Sequence, residues 1–147
     1  MDAIVRWTQG LQFVGNGKSE HGVLIDADPD VGGLDLAARP LELMVLALCG
    51  CTAMDVVSVL NKMRVHYTRF EVGAASERAN EYPKIFKSIE LVYQIWGDDI
   101  EEEKLVKAIN LSMERYCPIA NTLKKTVKLT YRYHINPKKA LSTGGAS

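Results

Sequence analysis

Sulfur offers this chain its most plausible chemistry. Cys49, Cys51 and Cys117 are its three cysteines. Cys51 has the small neighbours Gly50 and Thr52, which leave room for a substrate or another chain to reach its sulfur. The plain alternative is a buried cysteine serving as a small hydrophobe on a core helix. Cys117 stands directly before Pro118. If Pro118 opens a helix, Cys117 is its N-cap, and its sulfur faces unpaired N–H groups and the positive end of the helix dipole, an environment that lowers a thiol pKa. A modest cap without reactivity is the other reading. Cys49 lies two residues before Cys51, about 200° round a helix from it, so the two can neither bridge nor share a metal without unwinding, and Cys49 reads as core. His21, His66 and His134 fall on separate elements with no zinc-ligand spacing, and no metal is expected. Asp55, one turn after Cys51, is either a buried polar group tied to a neighbour or a local influence on the thiol.

The element that must position Cys51 is the stretch from Pro40 to Arg64, the longest apolar segment of the chain. Proline suits the first helical position, no other proline follows in the stretch, and a helix of about six or seven turns is predicted. Its apolar residues fall on every side, so it is expected to be buried nearly all round. Ahead of it, residues 3–14 read as a strand bent at Gly10, the Gly15-Asn16-Gly17-Lys18 run as a turn, and residues 22–26 as the second arm of an N-terminal hairpin. Residues 28–38, with Pro29, Gly32 and Gly33, read as a loop.

Beyond the long helix, residues 66–75 and 88–96 alternate as two half-buried strands. Asp98 or Asp99 is placed to cap a helix carrying Glu101, Glu102 and Glu103 in its first turn, with Leu105, Ile109 and Met113 on its buried side. A short helix is expected from Pro118 to about Lys125, and a last strand over 127–135. The order of elements is α+β: an N-terminal β-hairpin, a long buried central helix, further antiparallel strands and a second helix pair. Residues 1–137 are read as one domain and 138–147 as a disordered tail.

Composition narrows the function classes. Hydrophobic residues make up 47% of 147 positions, enough for a sizeable core, and 18 basic residues balance 18 acidic ones, so no net field draws the protein to nucleic acid or an anionic membrane. Residues 1–10 lack the pattern of a secretory signal, and a cytoplasmic location is expected. Residues 41–60 have the length of a membrane span, but Glu42 and Asp55 are costly in lipid, so no membrane is expected as partner. In a reducing compartment, any bridge among three cysteines is transient and catalytic or redox-sensing rather than structural.

Two motifs carry a resemblance. Pro40-Leu41-Glu42-Leu43, leading through small and apolar residues to Gly50-Cys51-Thr52-Ala53-Met54-Asp55-Val56-Val57, and then Tyr116-Cys117-Pro118-Ile119-Ala120-Asn121-Thr122-Leu123, resemble the OsmC/Ohr family of thiol-dependent peroxide-detoxifying proteins. The resemblance implies an α+β OsmC-like fold, an intertwined homodimer, and active sites at the subunit interface built from cysteines matching Cys51 and Cys117. It also implies a reaction. Cys51 attacks the O–O bond of an organic hydroperoxide and becomes a sulfenic acid, Cys117 condenses with it to a disulfide, and a dithiol or lipoyl-type reductant restores both thiols. No cofactor is required.

In that family an arginine and a glutamate activate the reactive cysteine. Arg39 and Glu42 are the candidates here, with Lys18 as a second choice for the cation. The glutamate of the family's peroxidases directly follows the proline, a position held here by Leu41. Glu42 lies nine residues before Cys51, about 180° round the helix from it, so it serves only through a distorted first turn or across a dimer. As a plain first-turn acid it is favoured by the helix dipole. A non-catalytic thiol redox sensor or ligand-binding protein of the same fold is the alternative function.

Overall fold

The computed structural model describes residues 1–144; positions 145–147, the end of the expected tail, lie outside the described residues. Contacts divide the chain into two units, the first Met1–Leu46 and the second beginning at Ala47. The first unit is a three-stranded antiparallel meander of β1 (Ala3–Gln9), β2 (Gln12–Gly17) and β3 (Gly22–Ile25). The single bent strand expected over residues 3–14 is therefore two strands. Gly10, at φ +50°, makes the reversal, and the Trp7 indole N–H donates to its carbonyl at 2.9 Å. Only glycine takes this backbone conformation freely, so the residue read as a bend is a turn. Conversely, the run read as a turn, through Gly17, forms the end of β2, and the chain reverses after it, where the Glu20 N–H bonds the Gly17 carbonyl at 3.0 Å.

The expected loop over 28–38 contains one 3-10 turn, Pro29–Val31, capped by the Asp28 carboxylate. Buried Asp26 organises it by accepting the N–H groups of Ala27 at 2.7 Å, Leu36 at 3.1 Å and Leu34 at 3.4 Å. Those bonds, Ala27 and Leu36 foremost, hold its carboxyl below the usual carboxylate range.

Helix α1 runs Pro40–Lys62, two residues short of the expected end. Arg64 takes a left-handed conformation at φ 56°, and the Val65 N–H closes back on the Leu60 carbonyl at 3.1 Å. Leu48, Thr52, Val56 and Leu60, spaced four apart, are fully buried and form one stripe. The opposite side is open, with Leu46 at 60% and Met54 at 70% exposure, so burial nearly all round is not what this chain alone provides. The helix is long and apolar enough to cross a membrane. Its Thr52 and Asp55 are instead hydrogen-bonded to Tyr93 and Ser112 within the second unit.

The second sheet has the order β4 (Arg69–Arg78), β5 (Phe86–Trp96), β6 (Lys128–Ile135). Strands β4 and β5 pair antiparallel as expected, with Val72 opposite Tyr93, whereas β6 lies parallel to β5, with Tyr133 opposite Tyr93. A hairpin makes the first pairing; the second needs a long crossover, supplied by the helices between β5 and β6. Ile89, Leu91, Tyr93 and Ile95 are fully buried on one face of β5. Helix α2 is Glu102–Leu111, with Leu105, Ala108 and Ile109 buried. Its N-cap is Glu101 rather than Asp98 or Asp99, and no side chain caps it. Helix α3 is Pro118–Leu123. Residues 138–144 form no helix or strand, although the Leu141 N–H donates to the Glu71 carboxylate at 3.1 Å.

Candidate active site

Between α2 and α3 the chain widens into one π turn, Ser112–Tyr116, in which the Cys117 N–H bonds the Ser112 carbonyl five residues back at 2.9 Å. In an α-helix, residues five apart point about 140° away from each other; the wider turn narrows that angle. Both of its ends meet α1. The Ser112 hydroxyl lies 3.0 Å from Thr52 Oγ1 and 3.0 Å from Asp55 Oδ2, while Cys117 reaches Cys51. The Asn121 amide braces the junction by donating to the Cys117 carbonyl at 2.9 Å and the Met113 carbonyl at 3.4 Å. A π turn leaves carbonyls without their α-helical partners, and this side chain replaces one.

The Sγ atoms of Cys51 and Cys117 and a carboxylate oxygen of Asp55 all lie within 4.8 Å of one another. Both sulfurs are free thiols, Cys51 half-buried and Cys117 fully buried. The Cys117 sulfur caps α3 as expected, accepting the Ala120 N–H at 3.3 Å. The cap does not produce an acidic thiol. Burial pushes Cys117 up to about 11, and donation of its S–H to Cys51 adds to the rise, outweighing the Ala120 and Ile119 N–H groups. The expectation of a lowered Cys117 pKa is thus corrected: desolvation exceeds what a six-residue helix returns.

A chain of hydroxyls runs behind the thiols. Thr52 Oγ1 and the Tyr93 hydroxyl are 2.6 Å apart, Ser112 joins Thr52 to Asp55, and the Tyr93 hydroxyl also lies 3.7 Å from the Met113 sulfur. Burial drives the Tyr93 pKa well above its ordinary value, so the phenol stays neutral. Of these groups only Asp55 was singled out from the sequence. Thr52 is visible in the sequence only as a small neighbour of Cys51, while Ser112 is aimed by the π turn and Tyr93 by strand register, and neither has a local signature. Cys49 is buried, and desolvation raises its thiol pKa, as a packing residue requires.

Arg39 and Glu42 are joined to each other in the first unit. The Arg39 N–H donates to Glu42 Oε2 at 3.0 Å and its guanidinium to Oε1 at 3.1 Å, the reaching-back half of a capping box. The same guanidinium pairs with Asp35 at 2.9 Å and Asp28 at 3.0 Å. The first turn of α1 is regular, with the Leu43 N–H on the Arg39 carbonyl at 3.0 Å, so the distorted turn that would bring Glu42 round is not formed. Lys18, the second candidate cation, pairs with Asp2 at 2.7 Å.

The raised Cys117 pKa predicts how stability depends on pH. The folded protein holds this proton more tightly than the unfolded chain, so the contribution is complete below the ordinary thiol value of 9.0 and is lost as pH rises through about 11. Chemical denaturation of the reduced protein from pH 8 to 11 is expected to show a fall that Cys117→Ser removes, on the order of 2 kcal/mol. Identical pH profiles for the two proteins are the opposing result.

Comparison with known proteins places this arrangement. The profile of the OsmC-like protein family matches residues 32–132, which include α1, both sulfur motifs and the second sheet up to Arg132. Protein YhfA of Escherichia coli K12 is 38% identical over 135 residues, covering 92% of this chain and 98% of YhfA. A structural-genomics structure, 36% identical, superposes with a TM-score of 0.82 over 92% of this chain and 98% of its own. The organic hydroperoxide resistance protein OsmC of Legionella pneumophila shares the fold at a TM-score of 0.67 and 15% identity, over 90% of this chain and 96% of its own. With the profile spanning most of its length and YhfA aligned almost end to end, the chain belongs to the OsmC family.

Proposed function

We propose that this protein is a cytoplasmic, homodimeric thiol peroxidase that reduces organic hydroperoxides in defence against oxidative stress. The observation that carries the reading is the Cys51–Cys117 pair, both of whose sulfurs lie inside a 4.8 Å cluster with a carboxylate oxygen of Asp55. The family resemblance and the name of the Legionella relative supply the substrate class.

Burial supports a division of roles between the two thiols. Half-buried Cys51 is the sulfur a peroxide reaches; fully buried Cys117 waits behind it as the resolving thiol. Cys51 as thiolate attacks the O–O bond, takes one oxygen as a sulfenic acid, and the alkoxide leaves and is protonated to the alcohol. Cys117 then attacks the sulfenic sulfur, the S–S bond forms and water leaves. An external dithiol, of lipoyl type or another, returns two electrons by thiol–disulfide exchange. In this reading Arg39 and Glu42, already an ion pair, act on Cys51 of a partner chain across the dimer, because the regular first turn leaves Glu42 out of phase with its own Cys51. Leu46 and Met54, apolar side chains exposed on α1, suit a dimer interface.

A second reading has one observation in its favour. The groups hydrogen-bonded around the thiols in the second unit are hydroxyls and the Asp55 carboxylate, which suit a slowly oxidised switch rather than a fast peroxidase. One measurement separates the readings: the rate of Cys51 oxidation by an organic hydroperoxide against hydrogen peroxide, with a dithiol present. Repeated turnover that prefers the organic substrate is expected, since the helix that carries Cys51 is predominantly apolar; a single slow stoichiometric oxidation favours the switch.

A further inference from the structure

Cys51 and Asp55 are one turn apart on α1, the i, i+4 spacing at which two donors on one helix face share an ion. The fold adds Cys117 as a third donor, and all three donor atoms lie within 4.8 Å of one another. In a tetrahedral zinc site the ligand atoms are about 3.5–3.8 Å apart, so a contraction of roughly 1 Å closes the set. The carboxylate is also held from behind, because the Ser112 hydroxyl lies 3.0 Å from Asp55 Oδ2, the kind of outer hydrogen bond that orients a metal-bound carboxylate. The separate histidines and the Cys49–Cys51 spacing gave the sequence no such set; the π turn assembles it.

We infer that the reduced site binds one thiophilic divalent cation of the zinc type through Cys51, Cys117 and Asp55, leaving a fourth position open on the accessible side of Cys51. Two thiolates and one carboxylate are a soft and hard mixture that zinc accepts, and three protein ligands with an open position is its catalytic-type geometry. Binding needs the two thiols reduced and releases their protons as they become thiolate ligands. A Cys51–Cys117 disulfide consumes two of the three ligands, so oxidation releases the ion and the bound ion shields the thiols from oxidation. That last consequence rests on the peroxidase reading; the site itself does not.

Cobalt(II) titrated anaerobically into the reduced protein tests it. One equivalent is expected to give thiolate-to-cobalt charge-transfer absorption that zinc then displaces. Cys51→Ser and Cys117→Ser are expected to remove the absorption, Cys49→Ser to preserve it, and Asp55→Asn to weaken zinc binding by about tenfold or more. Wild-type protein oxidised to the disulfide is expected to bind no cobalt, an arm that needs no variant to fold. Absence of the absorption in reduced wild type overturns the inference, as does its persistence in Cys117→Ser or an unchanged zinc affinity in a folded Asp55→Asn. The same metal-free preparation is assayed with an organic hydroperoxide: consumption without cobalt binding removes this inference alone, and cobalt binding without consumption removes the peroxidase reading alone.

Discussion

Replacing Cys51 by serine is expected to reduce organic hydroperoxide turnover roughly a thousandfold or more, as removal of a covalent nucleophile does. No other thiol can substitute for it. Cys49 is buried with its pKa raised by desolvation and points about 200° away on α1, while Cys117 is fully buried and held at about 11. Cys117→Ser is expected to give a different failure. The first oxidation proceeds and stops after one equivalent of peroxide, because the sulfenic acid on Cys51 has lost the S–H that faced it. A sulfenic-acid trapping reagent and mass spectrometry read the difference, with one labelled adduct on Cys51 in Cys117→Ser and none in Cys51→Ser. Wild-type rates in Cys51→Ser remove the assignment of the nucleophile, and full multiple turnover in Cys117→Ser removes that of the resolving thiol.

The second large effect is expected on stability. Tyr93 is fully buried, its ring 6.3 Å from Phe70 and 6.0 Å from Tyr131 between centroids, and its hydroxyl is 2.6 Å from Thr52. Tyr93→Ala deletes a ring from the middle of β5 and is expected to cost about 3–5 kcal/mol. Tyr93→Phe keeps the ring, removes one member of the hydroxyl chain and leaves Thr52 to Ser112 alone, a cost of about 1–2 kcal/mol. Urea unfolding in reducing buffer measures both. A Tyr93→Phe stability equal to wild type would show that the buried hydroxyl contributes nothing net. The hydroxyl chain ends at Asp55, beside both sulfurs, so Tyr93→Phe also tests whether this chain holds the thiols in register. If it does, disulfide formation after the first oxidation slows more than the first oxidation itself.

Much of the fold is legible in local chemistry. Pro40 starts α1 and Pro118 starts α3 because an absent N–H and a preset φ suit the first helical position. Alternation over 88–96 makes β5 a strand, and Cys117 caps α3 because it precedes that proline. Gly10 is ambiguous in sequence, since a glycine in an extended run serves a bulge or a turn equally well, and only the pairing of β1 with β2 chooses between them. The direction of β6 likewise depends on where the crossover helices return the chain, which no residue of β6 encodes.

The candidate site divides along the same line. The sequence by itself determined which sulfurs to consider, that Cys49 and Cys51 point apart, and that Glu42 is a first-turn acid out of phase with Cys51, because all three follow from helical angle alone. Only the tertiary structure decided that Cys117 meets Cys51, that Ser112 and Tyr93 stand behind them, and that burial raises the Cys117 pKa despite its capping position. The physical reason is that periodicity reports direction about one element's axis. Desolvation and the approach of a second element depend on what packs there, and here that depends on one extra residue in the turn between Ser112 and Cys117.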